Sequence, residues 1–334
     1  MRRCLELAAR GLGNTQSNPM VGCVIVLNDA IIGEGYHEKY GEAHAEVNAF
    51  AQLDPALDIS QATVYVSLEP CAHFGKTPPC CDLIIQKQVK RAVIAMKDPF
   101  PKVDGEGIKR MQTAGIEVEV GLLEEEARAL NKRFLTYHLK KRPYIILKWM
   151  QSSDGIIGRK GVQVPISNQL SSKLVHRWRA EEQAILIGPE TAINDNPSLT
   201  TRKYPGKNPI RILLDRNLRV PTSLKLFTDE EALWVFNASK AGTEGKIQYF
   251  QIAEEDFISS SLKKLHELGI CSVLVEGGTS IHNAFLDAGL WDEVRLGVAE
   301  MELKEGVTAP NWPGVTQLSE KVGTDEWFYF FKPA

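Results

Sequence analysis

The stretch Ser67-Leu68-Glu69-Pro70-Cys71-Ala72-His73-Phe74-Gly75-Lys76-Thr77-Pro78-Pro79-Cys80-Cys81, read with His44-Ala45-Glu46 upstream, decides how this chain is to be understood. Two thiols and an imidazole are the soft-to-borderline donors that suit zinc. Three protein ligands, His44, Cys71 and Cys80, leave one coordination position for water, as a catalytic zinc requires. Glu46, two residues past the histidine, is the carboxylate such a site needs for moving protons. Pro78-Pro79 mark a helix start at Cys80, because proline is tolerated in a first turn. The helix dipole favours a thiolate there, whereas Cys81 points roughly 100° away around the helix and reads as a packed thiol. A structural zinc would be closed by a fourth ligand, Cys81 or His73, and would leave Glu46 without a use. Residues i and i+2 diverge by roughly 200° on a regular helix, so His44 and Glu46 converge only from an irregular first turn.

Zinc lowers the pKa of its bound water to about 7, giving hydroxide at neutral pH. Hydroxide attacks a ring carbon that carries an amino group, and Glu46 passes the proton on to the departing amine. H-x-E followed by P-C-x-x-C is the pattern of the zinc-dependent base deaminases. His44-x-Glu46 and Pro70-Cys71 fit it, but Cys80 lies nine positions after Cys71 instead of three.

The 334 residues imply about two domains, and 43% hydrophobic with 24% charged residues is an ordinary globular composition. A net charge of -3 gives no general attraction to nucleic acid, and no apolar run is long enough to span a bilayer. Six cysteines, three of them in the motif, read as metal ligands and buried thiols of a reducing compartment. A cytoplasmic enzyme without nucleic-acid or membrane partners is expected, assembled as a homo-oligomer, dimer or tetramer.

Outward from the motif, residues 2–12 read as a helix, Val21–Leu27 and Ala30–Gly35 as strands around an Asn28-Asp29 turn, and Thr63–Ser67 as the strand feeding the metal loop. A strand at Arg91–Met96, a helix near Gly107–Ala114 and a strand at Glu117–Val120 complete an α/β sheet covered on both faces. Residues 124–142 read as one helix with an acidic start and a basic end, stopped by Pro143. The boundary is placed there, giving domains 1–142 and 143–334. In the second half strands and helices alternate again, with a loop running through Pro197. Ser272–Val275 leads into Glu276-Gly277-Gly278-Thr279-Ser280 and a helix. On physics alone this is either an anion site at a helix N-terminus or a plain turn capped by Thr279 or Ser280.

The first half resembles the deaminase half of the bifunctional deaminase-reductases of riboflavin biosynthesis, where P-C-x-H-x-G-x-T-P-P-C replaces the shorter motif. Every fixed position of the longer motif is present from Pro70 to Cys80. Lys148-Trp149-Met150-Gln151-Ser152-Ser153-Asp154-Gly155, Gly188-Pro189-Glu190-Thr191, Asp195–Arg202 and Val275-Glu276-Gly277-Gly278 are similar to the reductase half. The resemblance implies a cytidine-deaminase-like αβα domain followed by a dihydrofolate-reductase-like α/β domain, with one Zn2+ per chain and NADPH as cofactors. It implies deamination of a phosphorylated ribosylamino-pyrimidine and then reduction of its ribosyl side chain to ribityl. Asn18, His37 and Lys76 would hold the pyrimidine and its phosphate in the first half, and Arg179, Leu199, Arg202 and Glu276 the substrate in the second. Met150, Thr191, Asp195 and the run Gly278, Thr279, Ser280, Ile281, His282, Asn283 and Ala284 would line the NADPH site. Pro165 stands at a further cofactor position where the family usually carries Trp, and Arg216 where it carries a small hydroxyl residue. Ser153 replaces the usual Leu of S-L-D-G. Two rival readings are a polynucleotide base deaminase with an accessory domain, expected to bind oligonucleotides salt-sensitively, and a zinc-stabilised binding protein with relic sites.

Overall fold

A computed structural model describes residues 1–74, 78–99, 104–252, 255–312, 314 and 317–332. Lys76 therefore lies outside the described residues. The chain divides into two compact units, Met1–Lys141 and Arg142–Ala334.

In the first unit, α1 (Arg2–Ala9), β1 (Gly22–Leu27), β2 (Ala30–Tyr36), α2 (Ala45–Phe50), β3 (Thr63–Val66), α3 (Cys80–Gln86), β4 (Arg91–Ile94), α4 (Glu106–Thr113) and β5 (Glu117–Val120) follow in order, then α5 (Glu124–Leu130) and α6 (Lys132–Lys140). Among the described residues the strands form one sheet in the order β2-β1-β3-β4-β5. β1 is antiparallel to both its neighbours, while β3, β4 and β5 are parallel, linked by the crossover helices that parallel pairing demands. Asn28 and Asp29 both take positive φ (50° and 62°), the two-residue turn that suits strand twist. Period-2 alternation then sorts β1. Cys23 and Ile25 join Val64, Val66, Ile84 and Met111 on one face, and Val24 joins Cys4 and Leu7 beneath α1 on the other. A Cβ on Gly35 would stand 2.3 Å from the carbonyl oxygen of Ala45, so α2 lies directly on β2. That contact fixes the helix that begins beside His44.

The single helix expected over 124–142 is two, broken at Asn131. The buried Asn131 side chain takes the N–H of Met20 at 2.8 Å and donates to the Met20 carbonyl at 3.0 Å. Two buried amide bonds outweigh one uninterrupted helix, and the break turns α6 independently of α5. The first helix also stops at Ala9, short of the expected residue 12.

The second unit contains β6 (Tyr144–Ser152), β7 (Ile156–Gly158), α7 (Gln169–Glu181), β8 (Ala184–Ile187), α8 (Pro189–Asp195), β9 (Ile210–Leu214), α9 (Lys225–Thr228), β10 (Leu233–Asn237), β11 (Gly242–Glu244) and β12 (Ile247–Gln251). α10 (Phe257–Glu267), β13 (Ser272–Gly277), α11 (Thr279–Asp287), β14 (Glu293–Ala299), β15 (Val307–Thr308), β16 (Leu318–Val322) and β17 (Asp325–Phe331) complete it. Among the described residues the large sheet runs β11-β12-β10-β9-β8-β13-β6-β14-β17-β16, parallel from β12 to β14 and antiparallel at both edges. α8 replaces the expected loop before Pro197, with Pro189 in its first turn where no amide hydrogen is needed. The central strands β8 and β13 end side by side, Ile187 paired with Gly277, while the neighbouring β6 runs on to Ser152, at the carboxyl edge at which open α/β sheets take their ligands.

Candidate active site

His44 is the N-cap of α2, in an extended conformation (φ -75°, ψ 164°), and Glu46 lies in the first helical turn. Because His44 is not yet helical, the two side chains escape the divergence of a regular helix and serve the same cavity. Cys80 opens α3 directly after Pro79, and Cys71 comes from the loop beyond β3. His44 Nδ1 stands 3.3 Å from Cys80 Sγ and 3.6 Å from Cys71 Sγ, and all three donor atoms lie within 4.8 Å of one another. Tetrahedral bonds of about 2.0–2.3 Å put neighbouring donors roughly 3.5 Å apart, so one nitrogen and two sulfurs at this spacing fit a zinc ion. The Cys80 N–H donates to Cys71 Sγ at 3.3 Å. Hydrogen bonds from the Cys80 thiol and the His44 ring hold Cys71 well below an ordinary thiol, while Cys80 is raised beside it. Cys81 is outside the cluster: its sulfur belongs to the core, and burial pushes it up to about 12.

Glu46 is buried, and that burial, reinforced by the nearby Cys71 sulfur, pushes its carboxyl up to about 7. His37 points Nδ1 at the Ala43 carbonyl (3.0 Å), an acceptor only, so Nδ1 carries the hydrogen and Nε2 accepts from Asn18 Nδ2 at 3.1 Å. Burial holds His37 below the usual histidine range, which keeps that tautomer neutral. Asn18, His37, His44, Glu46 and Cys71 thus line one cavity of about 450 Å³. Sequence reasoning missed its other wall, Phe134, Tyr137 and His138 on α6. The i, i+3, i+4 spacing of three rings was the available signal.

The second unit gathers a different cluster. On β6, Tyr144, Ile146 and Met150 pack on the α7 side with Val175 and Trp178, and Leu274 of β13 faces the same way. Parity puts Lys148 and Glu276 on that face too, in adjacent register. Arg179 of α7 grips the Glu276 carboxylate with two bonds of 2.7 and 2.8 Å, and Lys148 Nζ stands 3.6 Å away. Burial by itself would raise Glu276, but Arg179 and Lys148 outweigh it and hold the carboxyl at about 2. Arg179 also donates to the Thr200 carbonyl at 3.1 Å, tying down the loop that carries Leu199 and Arg202. The Leu199 side chain is buried in the core, whereas Arg202 is exposed.

The glycine turn completes this region. Gly277 takes φ 134°, and a Cβ on Gly278 would stand 3.1 Å from Thr191 Oγ1, so Thr191 closes over both glycines. Gly278 is the N-cap of α11 and no side chain caps the helix, leaving first-turn N–H groups for an anion. Gly278, Ser280, Ile281 and Arg216 line a cleft of about 420 Å³, with the buried Asp215 Oδ1 unbonded at its edge. This polar-rimmed cradle at a helix N-terminus fits a dinucleotide phosphate. Six successive helical residues cannot all face one ligand, and the run from Gly278 to Ala284 is divided accordingly. Thr279 Oγ1 donates to Thr308, Asn283 accepts from the Asn311 N–H, and His282 points inward to the Val275 carbonyl. Met150 lies against Gly297, and Asp195 accepts Gln163 Nε2 from the loop that carries Pro165. Arg216 donates to the Glu255 carbonyl at 3.1 Å.

Residues 1–96 match the family model of the cytidine and deoxycytidylate deaminase zinc-binding region, and residues 143–303 that of the RibD C-terminal domain. The riboflavin biosynthesis protein RibD of Aquifex aeolicus is 42% identical over 96% of this chain and 92% of its own length. That of Bacillus amyloliquefaciens is 41% identical over 93% and 86%. A diaminohydroxyphosphoribosylaminopyrimidine deaminase/5-amino-6-(5-phosphoribosylamino)uracil reductase from Thermotoga maritima superposes with a TM-score of 0.89 at 35% identity, covering 98% of this chain and 96% of the other. Acinetobacter baumannii RibD gives 0.89 at 34% identity, covering 99% and 97%.

Proposed function

From the premise that this chain belongs to the RibD family of bifunctional deaminase-reductases of riboflavin biosynthesis, we propose which of its residues carry each reaction. The enzyme deaminates a phosphorylated pyrimidine, with Zn2+, and reduces the product, with NADPH. Residues 1–142 are assigned the first reaction and 143–334 the second.

His44, Cys71 and Cys80 hold the zinc, which when bound supplies an acidified water as nucleophile at neutral pH. Glu46 takes the proton at its carboxylate and returns it to the departing amine. A carboxyl that burial brings to about 7 is poised to be base and then acid near neutrality. Asn18, oriented by its bond to neutral His37, reads the edge of the pyrimidine. Lys76 is assigned the phosphate on the strength of its place in the motif.

NADPH supplies hydride when bound, and the second unit positions donor and acceptor. The first turn of α11 takes the cofactor's phosphates, Thr191 and Met150 its reduced end, and Arg216 with Ser280 its further phosphate. Glu276, held as an anion by Arg179 and Lys148, accepts the hydroxyls of the sugar chain, and the exposed Arg202 takes the substrate phosphate. Among the described residues no helix is long and apolar enough to cross a membrane. We place the enzyme in the cytoplasm, in keeping with its six free thiols, and without nucleic-acid partners, in keeping with its net charge of -3, and propose that it is a homo-oligomer.

The observation that carries the assignment is the convergence of three zinc donors, two of which line the same cavity as a buried carboxyl. The test follows ammonia release and NADPH oxidation separately in one reaction with the purified protein. Ammonia should appear first, and NADPH consumption should follow it. Zinc bound with neither signal would overturn the assignment.

A further inference from the structure

Glu69, two residues before the Cys71 ligand, has no part in the chemistry above, yet it is only 3% exposed. Its Oε2 accepts the N–H groups of Asp98 (3.3 Å) and Gly105 (3.0 Å), and its Oε1 those of Gly107 (3.1 Å) and Ile108 (3.4 Å). Gly105, Gly107 and Ile108 are the N-cap and first turn of α4, where a carboxylate meets the positive end of the helix dipole. The helix is also pressed directly onto the same turn. A Cβ on Gly107 would lie 2.3 Å from the carbonyl oxygen of Pro70, the residue between Glu69 and Cys71.

The ligands differ in what holds them. His44 caps α2 and Cys80 opens α3, so each is set by a helix end. Cys71 sits in a loop. Its carbonyl takes the Cys81 N–H at 3.2 Å, tying it to α3, and the turn preceding it is anchored by Glu69 to α4. We infer that Glu69 is a positioning residue for the metal: its carboxylate clamps the Pro70–Cys71 turn to the amino end of α4 and so sets the Cys71 sulfur opposite His44 and Cys80.

The inference rests on the reading of His44, Cys71 and Cys80 as zinc ligands, and the test separates the two. Full-length wild type, Glu69→Gln and Glu69→Ala are loaded with one equivalent of zinc, and transfer of the metal to a chromophoric chelator is timed. Parallel samples carry cobalt(II), whose visible bands report the geometry of the ligand set. Loss of partners that orient ligands costs about 10–100-fold in metal affinity. Zinc transfer should therefore quicken on that scale for Glu69→Ala, with a shifted cobalt spectrum. Glu69→Gln, which keeps one accepting oxygen, should fall between, and NADPH binding should be unchanged in both. A Glu69→Ala chain that does not fold is replaced by Gly107→Ala, whose added methyl pushes on the Pro70 carbonyl and should also speed transfer. Wild-type transfer rates and cobalt spectra in Glu69→Gln and in either second variant would overturn the clamp. A wild type that binds neither metal would overturn the ligand assignment and the clamp with it.

Discussion

Glu46 and Glu276 are the same residue type, both buried, one in each unit, and their surroundings drive them in opposite directions. Glu46 faces the zinc-donor cluster, and burial with the Cys71 charge raises it to about 7. Glu276 is enclosed by Arg179 and Lys148, and those cations hold it at about 2 in spite of burial. The difference teaches that burial alone does not assign a role to a carboxylate. A raised acid near neutrality can carry a proton through a reaction, while a deeply lowered one is a fixed anion that orders other groups.

The largest effect expected from breaking this contrast is at Glu46. Glu46→Gln should lower ammonia release by about 10²–10⁴-fold, with bound zinc, measured by metal analysis, retained. Reduction of the deaminated intermediate, read by NADPH absorbance, should be untouched. At Glu276 the dominant loss should be of structure. Glu276→Ala strands Arg179 and Lys148 without their anion, and about 3–5 kcal/mol should be lost from the second unit in denaturant unfolding. Its reductase activity should go as well, while ammonia release persists.

A pH series sharpens the comparison in the metal-free protein. A folded-state pKa of about 2 for Glu276 lies below the unfolded value of 4.5. Its contribution is therefore fully present above pH 4.5 and is lost as pH falls toward 2. Glu46, raised to about 7 from 4.5, binds its proton more tightly folded than unfolded. Its charging costs stability as pH rises through 7, and that cost vanishes below 4.5. Each amounts to on the order of 3 kcal/mol, with opposite sign. Urea midpoints of wild type, Glu46→Gln and Glu276→Gln between pH 3 and 8 read both trends. The smallest effect concerns the scaffold of the first pocket. Asn131→Ala gives up two buried bonds to the Met20 backbone and should cost about 2 kcal/mol in the same unfolding measurement.

What the sequence made legible follows the range of the interactions. His44, Glu46, Cys71 and Cys80 could be singled out because ligand type and helix-start chemistry are local properties of short stretches. The alternation of strands and crossover helices was equally readable, since it rests on apolar period. Arg179 and Glu276 stand 97 positions apart, and their pairing depends on strand parity and on where α7 lies, which no local pattern expresses. The break at Asn131 is set by Met20, 111 positions away, so residues 124–142 read locally as one helix. The exposed edge strands β11 and β16 have no buried face to impose alternation, and they passed unnoticed for that reason. The rings of α6 were visible as residues, but only the turn at Asn131 brings them to the cavity.

The opposed states of the two carboxyls can be observed directly by titrating metal-free protein carrying ¹³Cδ-labelled glutamate, with Glu46→Gln and Glu276→Gln to assign the two resonances. The Glu46 signal should move with a midpoint near 7, and the Glu276 signal should stay at its ionised position down to about pH 3. Two ordinary midpoints near 4.5 would contradict the division of labour between a proton carrier and a fixed anion.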